Sequence, residues 1–223
     1  MSQLPALLPY PAGETAMYVP GSFAQCDRPT IESFLAQHSF ATLVTTSAGA
    51  PFATHLPLAL DSTWGEQGAL VGHLARANPQ WRDSEGQEAL AIFAGPHAYI
   101  SPAWYKAEAV VPTWNYLAAH VYGRITWLHN PDELLSIVGD AVLQYEGADG
   151  WQFDAGTEFA KKLAAQIVGL RLEISRVEAK WKLSQNQPPD RQQRVRAALE
   201  SLGDENSRAV AEAMRQWQTH ANG

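Results

Sequence analysis

Short β-rich runs broken by proline and glycine dominate the hydrophobic pattern of this chain, and helical spacing is confined to a few stretches. Residues 41–46 are rich in β-branched side chains, Gly49 supplies a turn, and residues 51–60 continue as a second extended run, which predicts a hairpin. Further strands are predicted over 69–74, 90–93, 98–101, 113–128 and 167–183.

Helical spacing begins at Asp27 and Pro29, where Ile31, Phe34, Leu35 and His38 recur on one face. A longer helix is predicted from Pro131 to Gly147: Asn130 can cap it, Glu133 can reach back, and Leu134, Leu135, Val138, Val142 and Tyr145 form its apolar stripe. A short helix over 157–165 carries Phe159 and Leu163. After Pro188 and Pro189, two helices are predicted over 190–202 and 207–220, divided by Gly203, with Val210, Met214 and Trp217 on one face of the second. Uneven strands with helices at ends and corners favour a closed antiparallel barrel over a βαβ sheet, a mainly β fold with peripheral helices (α+β). Residues 1–16 read as an extension, 17–186 as the main domain and 187–223 as a helical addition.

Composition narrows the function classes. Of 223 residues, 46% are hydrophobic and 17% charged, enough to bury a core without disulfides. The net charge of −7 lacks the basic excess of a protein that binds nucleic acid mainly through phosphates. Cys26, the only cysteine, forms no intramolecular disulfide or multi-thiolate metal site, which fits a reducing cytoplasm. The first residues lack a basic segment and are cut by Pro5, Pro9 and Pro11, and no apolar run reaches the ~18 residues of a spanning helix, so no membrane association is expected.

Three segments concentrate candidate chemistry. In Gly72–Trp81, Arg76 offers a planar fork of donors to a phosphate while His73 and Asn78 add polar contacts; the alternative is a solvated arginine and a core histidine. In residues 95–105 and 111–116, aromatic and small polar groups alternate, so that Trp114 and Tyr116 share a strand face and Asn115 takes the other. Those rings suit either a flat heteroaromatic ligand or an ordinary core. Lys180 and Lys182 share a face at the end of the last strand, followed by Ser184, Gln185 and Asn186, and serve either an anion or a solvated edge. No GxGxxG, Walker, GxSxG or HExxH motif is present, and the histidines show no metal-ligand spacing. The arginines of the last two helices are offset by acidic neighbours, which argues against a DNA-reading helix-turn-helix.

Read together, Met17–Pro20, His55–Leu58, Gly72–Trp81, Gly95–Pro102, Pro112–Tyr116 and Lys182–Asn186 resemble, in order, the PaiB family of FMN-binding negative transcriptional regulators. The resemblance spans residues 17 to 200. It implies an FMN-binding split β-barrel of the pyridoxamine phosphate oxidase kind, a homodimer with FMN at the subunit interface. It places the flavin phosphate on Arg76 and Asn78, with His73 and Leu74 nearby, and a C-terminal contact on Lys182 and Gln185. It runs Thr54, His55 and Leu56 past the ring edge and brings Trp114 and Asn115 from the partner chain. No catalytic acid or base is implied. The output is either regulation, with DNA as partner, or a flavin-dependent oxidoreductase drawing on NADH or NADPH.

Overall fold

The computed structural model describes residues 17–221, with side chains placed to Gln218. Seven strands are joined in one sheet: β1 (Ala24–Gln25), β2 (Phe40–Ser47), β3 (Ala50–Asp61), β4 (Ala69–Ala75), β5 (Glu88–Ile100), β6 (Thr113–Leu128) and β7 (Ile167–Lys182). Hydrogen bonding orders them β1-β7-β4-β3-β2-β5-β6, and β6 also pairs with β7. Among the described residues, five α-helices accompany them: α1 (Arg28–Gln37), α2 (Pro131–Glu146), α3 (Glu158–Ala164), α4 (Pro189–Leu202) and α5 (Glu205–Ala221). Among the described helices, none is long and apolar enough to cross a membrane. The expected extension over residues 1–16 lies outside the described residues.

The chain divides into two compact units, one holding Arg28–Phe93 and His120–Val177, the other the segments up to Asp27, Ala94–Ala119 and from Glu178 onward. In the first, β2 and β3 form the expected hairpin, with Ser47 opposite Ala50. Its two turn residues, Ala48 and Gly49, both have positive φ (49° and 78°), the twist that a two-residue hairpin turn requires. From there β3 pairs with β4 and β4 with β7, all antiparallel. Alternation then sorts the side chains: Leu43, Leu58, Leu70, Phe93, Leu170 and Leu172 are fully buried on the inner face. Asn130 caps α2, its Oδ1 accepting from the amides of Asp132 (2.8 Å) and Glu133 (3.4 Å).

Close approach, more than propensity, fixes how α2 sits. A Cβ on Gly169 of β7 would lie 2.9 Å from Leu134 Cδ2 and 3.0 Å from Ile137 Cδ1. Glycine there lets the helix rest on the sheet, and Leu134 is 1% exposed. The predicted stripe differs in detail. Leu135, Val138 and Val142 are half-buried and Tyr145 is exposed, because the contact runs through Leu134 and Ile137. In α3 the predicted apolar residues Phe159 and Leu163 face outward while Ala160 and Ala164 are buried. Two smaller differences concern the strands: 90–93 and 98–101 belong to one strand that continues through Gly95 and Pro96, and the two-residue β1 has no counterpart among the expected elements.

In the second unit, β1 pairs with the end of β7, Ala24 opposite Lys180. Lys180 is 8% exposed; its ammonium donates to the Tyr18 carbonyl (2.7 Å) and lies 5.4 and 5.5 Å from the ring centres of Tyr18 and Tyr116. Helices α4 and α5 form a hairpin turned at Gly203 (φ 77°) around Val195, Leu199, Val210 and Met214.

A close backbone approach in the first unit gives a stability test. A Cβ on Gly123 of β6 would sit 2.2 Å from the Glu173 carbonyl oxygen, which backbone alone can relieve. Gly123→Ala is expected to destabilise the protein by about 1–3 kcal/mol, read as a lower urea midpoint at unchanged m-value.

Candidate functional site

The end of β4 and the turn that follows it, residues 75–81, carry most of the expected phosphate-binding group. The chain leaves β4 at Ala75, and Asn78 caps a short helical turn (Pro79–Trp81) by accepting the Gln80 amide on Oδ1 at 3.0 Å. Pro at the first position of that turn removes a donor that would otherwise be unpaired. The Asn78 amide nitrogen donates to Thr54 Oγ1 on β3 at 2.9 Å. That leaves the Thr54 hydroxyl proton to serve as a donor.

Arg76 is held from the other flank of β4. Its Nε donates to the Ala165 carbonyl (2.9 Å) and its Nη2 to the Ile167 carbonyl (2.7 Å), at the start of β7. Its own carbonyl accepts the Trp81 indole N–H at 3.0 Å. The guanidinium is therefore fixed in plane and direction, and among the described residues no bond engages Nη1. A guanidinium with an unengaged Nη1 and a hydroxyl with an unengaged proton are donor types that a phosphate monoester accepts.

The turn is anchored by a residue outside the expected set. Gln80 is 1% exposed, and its amide nitrogen faces Leu43 O (3.3 Å) and Thr45 Oγ1 (3.1 Å) on β2 and Phe52 O (3.2 Å) on β3. The Gln80 carbonyl accepts from buried Ser84 Oγ (2.6 Å), which in turn accepts the Trp127 indole N–H (3.0 Å). A polar side chain inside the Gly72–Trp81 motif, two residues after a capping asparagine, was the available signal.

The remaining expected residues fall in both units. On β3, Leu56 is buried in the core and His55 is exposed, its Nδ1 2.9 Å from Thr42 Oγ1. On β4, Leu74 is 5% exposed in the core, whereas His73 points to the opposite face and lines a cavity beneath α2. In the second unit, Trp114 is 52% exposed, with its ring 5.9 Å from Tyr99 and 6.1 Å from His97. Asn115 is fully buried: its amide nitrogen donates to Ser184 Oγ (3.0 Å) and contacts Met214 Sδ (3.7 Å), and its Oδ1 accepts from Ser184 Oγ. Lys182 donates to the Thr113 hydroxyl. Gln185 folds back on its own strand end, accepting the Leu183 amide at 2.7 Å and donating to the Trp181 carbonyl.

Burial pushes the His73 imidazole below its ordinary pKa, and does the same to His38. The folded protein then prefers the neutral rings. Their contribution is complete above the unfolded value near pH 6.5 and is lost as pH falls below it. Stability is expected to drop between pH 7.5 and pH 5, and His73→Gln should shrink that drop, as measured by urea midpoints at both pH values.

With this geometry in place, comparison with known proteins is direct. The family described as "Putative FMN-binding domain" matches residues 17–176. The chain is 36% identical over 203 residues to Protease synthase and sporulation protein PAI 2 of Bacillus subtilis (strain 168), spanning 89% of this chain and 96% of that protein. It is 29% identical over 204 residues to the uncharacterized protein AN0679 of Emericella nidulans, spanning 73% and 80%. Among solved structures, the FAD and heme binding protein of Mycobacterium smegmatis aligns with a TM-score of 0.57 at 17% identity, over 76% of this chain and 78% of that one. The flavocytochrome Anf3 of Azotobacter vinelandii aligns with a TM-score of 0.56 at 15% identity, over 71% and 69%. The fold is the split β-barrel, and the chain belongs to the PaiB-like family of FMN-binding domains, whose cofactor is FMN.

Proposed function

We propose that this protein works as a PaiB-type flavoprotein: a homodimer that holds FMN at its subunit interface and couples the flavin's state to a regulatory output. The observation that carries the binding step is Arg76, whose guanidinium is oriented by the Ala165 and Ile167 carbonyls. In this reading Nη1 of Arg76 and the Thr54 hydroxyl take the flavin phosphate, while Asn78 holds Thr54 in place. His55 lies exposed along the ring edge, and Trp114 offers an exposed aromatic face from the partner subunit. Lys182 supplies a second cation from its own unit. Asn115 and Gln185 support their local structure, since their amides are occupied within the chain. Bound FMN would supply one- and two-electron chemistry; the side chains bind and orient.

Charge favours a second reading. In the helical hairpin, Arg194 pairs with Asp190 (2.7 Å), Arg215 with Glu200 (2.7 Å) and Glu212, and Arg196 approaches Glu200 at 4.0 Å. A helix that reads DNA presents a net basic face to phosphates, and this one is neutralised by its own acids. An oxidoreductase passing electrons from a reduced nicotinamide through the same flavin has no such requirement.

Two measurements test these readings. In a fluorescence titration, Arg76→Ala is expected to weaken FMN binding about ten- to hundred-fold, the loss of a charge-assisted hydrogen bond, and to leave riboflavin affinity unchanged. Wild-type affinity for FMN would contradict the assignment. A specific mobility shift with DNA near physiological salt supports the regulator, whereas FMN-dependent oxidation of NADH or NADPH without any shift supports the oxidoreductase.

A further inference from the structure

Beneath α2, on the face of β3 and β4 that points away from the core, lies a cavity of about 430 Å³. That is a volume typical of small-molecule sites, which run from roughly 300 to 1,000 Å³. Thr54, Arg76 and Asn78 are not among its walls. The cavity is therefore separate from the phosphate corner, and its ligand chemistry does not rest on the flavin reading.

The walls are largely apolar, with Pro57, Val71 and Leu128 on the strands and Ile137 on α2 above them. At one end stand two opposite charges, Asp61 of β3 and Arg171 of β7. The Asp61 carboxylate accepts from the Thr63 amide (3.0 Å) and hydroxyl (2.6 Å). These bonds and the nearby Arg171 charge hold its pKa below the usual carboxylate value, so it is ionised at neutral pH. Among the described residues, no ion pair within 4.0 Å joins it to Arg171. The Arg171 guanidinium lies over the Trp64 ring, 4.0 Å from its centre, which sets its plane. Its Nε is buried and has no hydrogen-bond partner among the described residues.

Held flat against Trp64, the Arg171 guanidinium puts a cation on the cavity wall, and a carboxylate is the anion that matches its planar donors. A simple anion does not suit the site as a whole. Glu133 and Asp140 also line it, and burial keeps His73 neutral, so acid outweighs base. The complementary ligand carries a carboxylate and a cation on one carbon, with an apolar body. We infer that this cavity binds an α-amino acid with an apolar side chain, its carboxylate on Arg171, its ammonium on Asp61 and its side chain along Pro57, Val71 and Leu128. Glu133 and Asp140 add a negative field at the α2 rim that disfavours ligands lacking the ammonium.

Three probes of one shape separate these contacts: L-phenylalanine, phenethylamine, which lacks the carboxylate, and 3-phenylpropionate, which lacks the ammonium. By isothermal titration calorimetry on the full chain saturated with FMN, L-phenylalanine is expected to bind saturably and each truncated probe at least about tenfold more weakly. Asp61→Asn keeps an acceptor for Thr63 and Arg171→Met keeps the aliphatic stem; each should weaken L-phenylalanine binding at least about tenfold, with the fold checked by circular dichroism. Equal binding of the three probes, no binding of L-phenylalanine, or stoichiometric release of FMN by L-phenylalanine would overturn the inference. Should Arg171→Met not fold, the wild-type probe series and Asp61→Asn still decide it. Failure of the same samples to take up FMN would count against the flavin reading alone.

Discussion

An arginine on a loop is ordinarily a mobile cation, and ordering it to meet a ligand consumes side-chain entropy at the moment of binding. Here the Ala165 and Ile167 carbonyls have already ordered Arg76. The arrangement depends on β7 starting where it does, because those carbonyls mark the end of the α3 connection and the first residue of the strand beside β4. Backbone bonds extend the same contact: the Arg76 amide donates to the Gln166 carbonyl at 2.8 Å. Residues some ninety positions apart in sequence thus set the direction of one guanidinium.

The opposite flank of the turn shows how a buried polar group specifies geometry. Gln80 joins the turn to β2 and β3, and Ser84 joins it to Trp127 on β6. A fully apolar residue at position 80 would fill the same space without dictating register, whereas an amide inside the core is stable only where its acceptors lie. On the proposed reading, the placement of Thr54 and Arg76 is supported from beneath by Gln80 and Ser84.

Much of this was legible from local signals. The 113–128 strand, the Asn130-capped helix and the β2–β3 hairpin each rest on short-range chemistry: alternation, a capping side chain and a two-residue turn. The Gly72–Trp81 motif likewise marked the corner where Arg76 and Asn78 sit, and the family resemblance named the cofactor. What could not be read was which way a side chain faces once tertiary contacts compete. Phe159 and Leu163 have helical spacing, yet the smaller Ala160 and Ala164 allow the tighter approach and take the buried side. Nothing local to the aromatic strand marked the partners of Asn115, Ser184 and Met214, which come from segments far along the chain. Arg171 carried a signal of its own, a charged residue among the apolar positions of β7, whose meaning emerges only once α2 covers it.

Gly169 supports the space under α2 without forming any of its walls. The helix rests on the sheet at Leu134 and Ile137, so the height of the cavity roof is set by how near those two side chains come to a bare backbone. A methyl group at position 169 would act as a shim, tilting the roof by tenths of an ångström and changing the clearance for whatever lies beneath. Sequence drift at this one point could retune which molecular sizes the chamber admits while every residue that touches the guest stays the same.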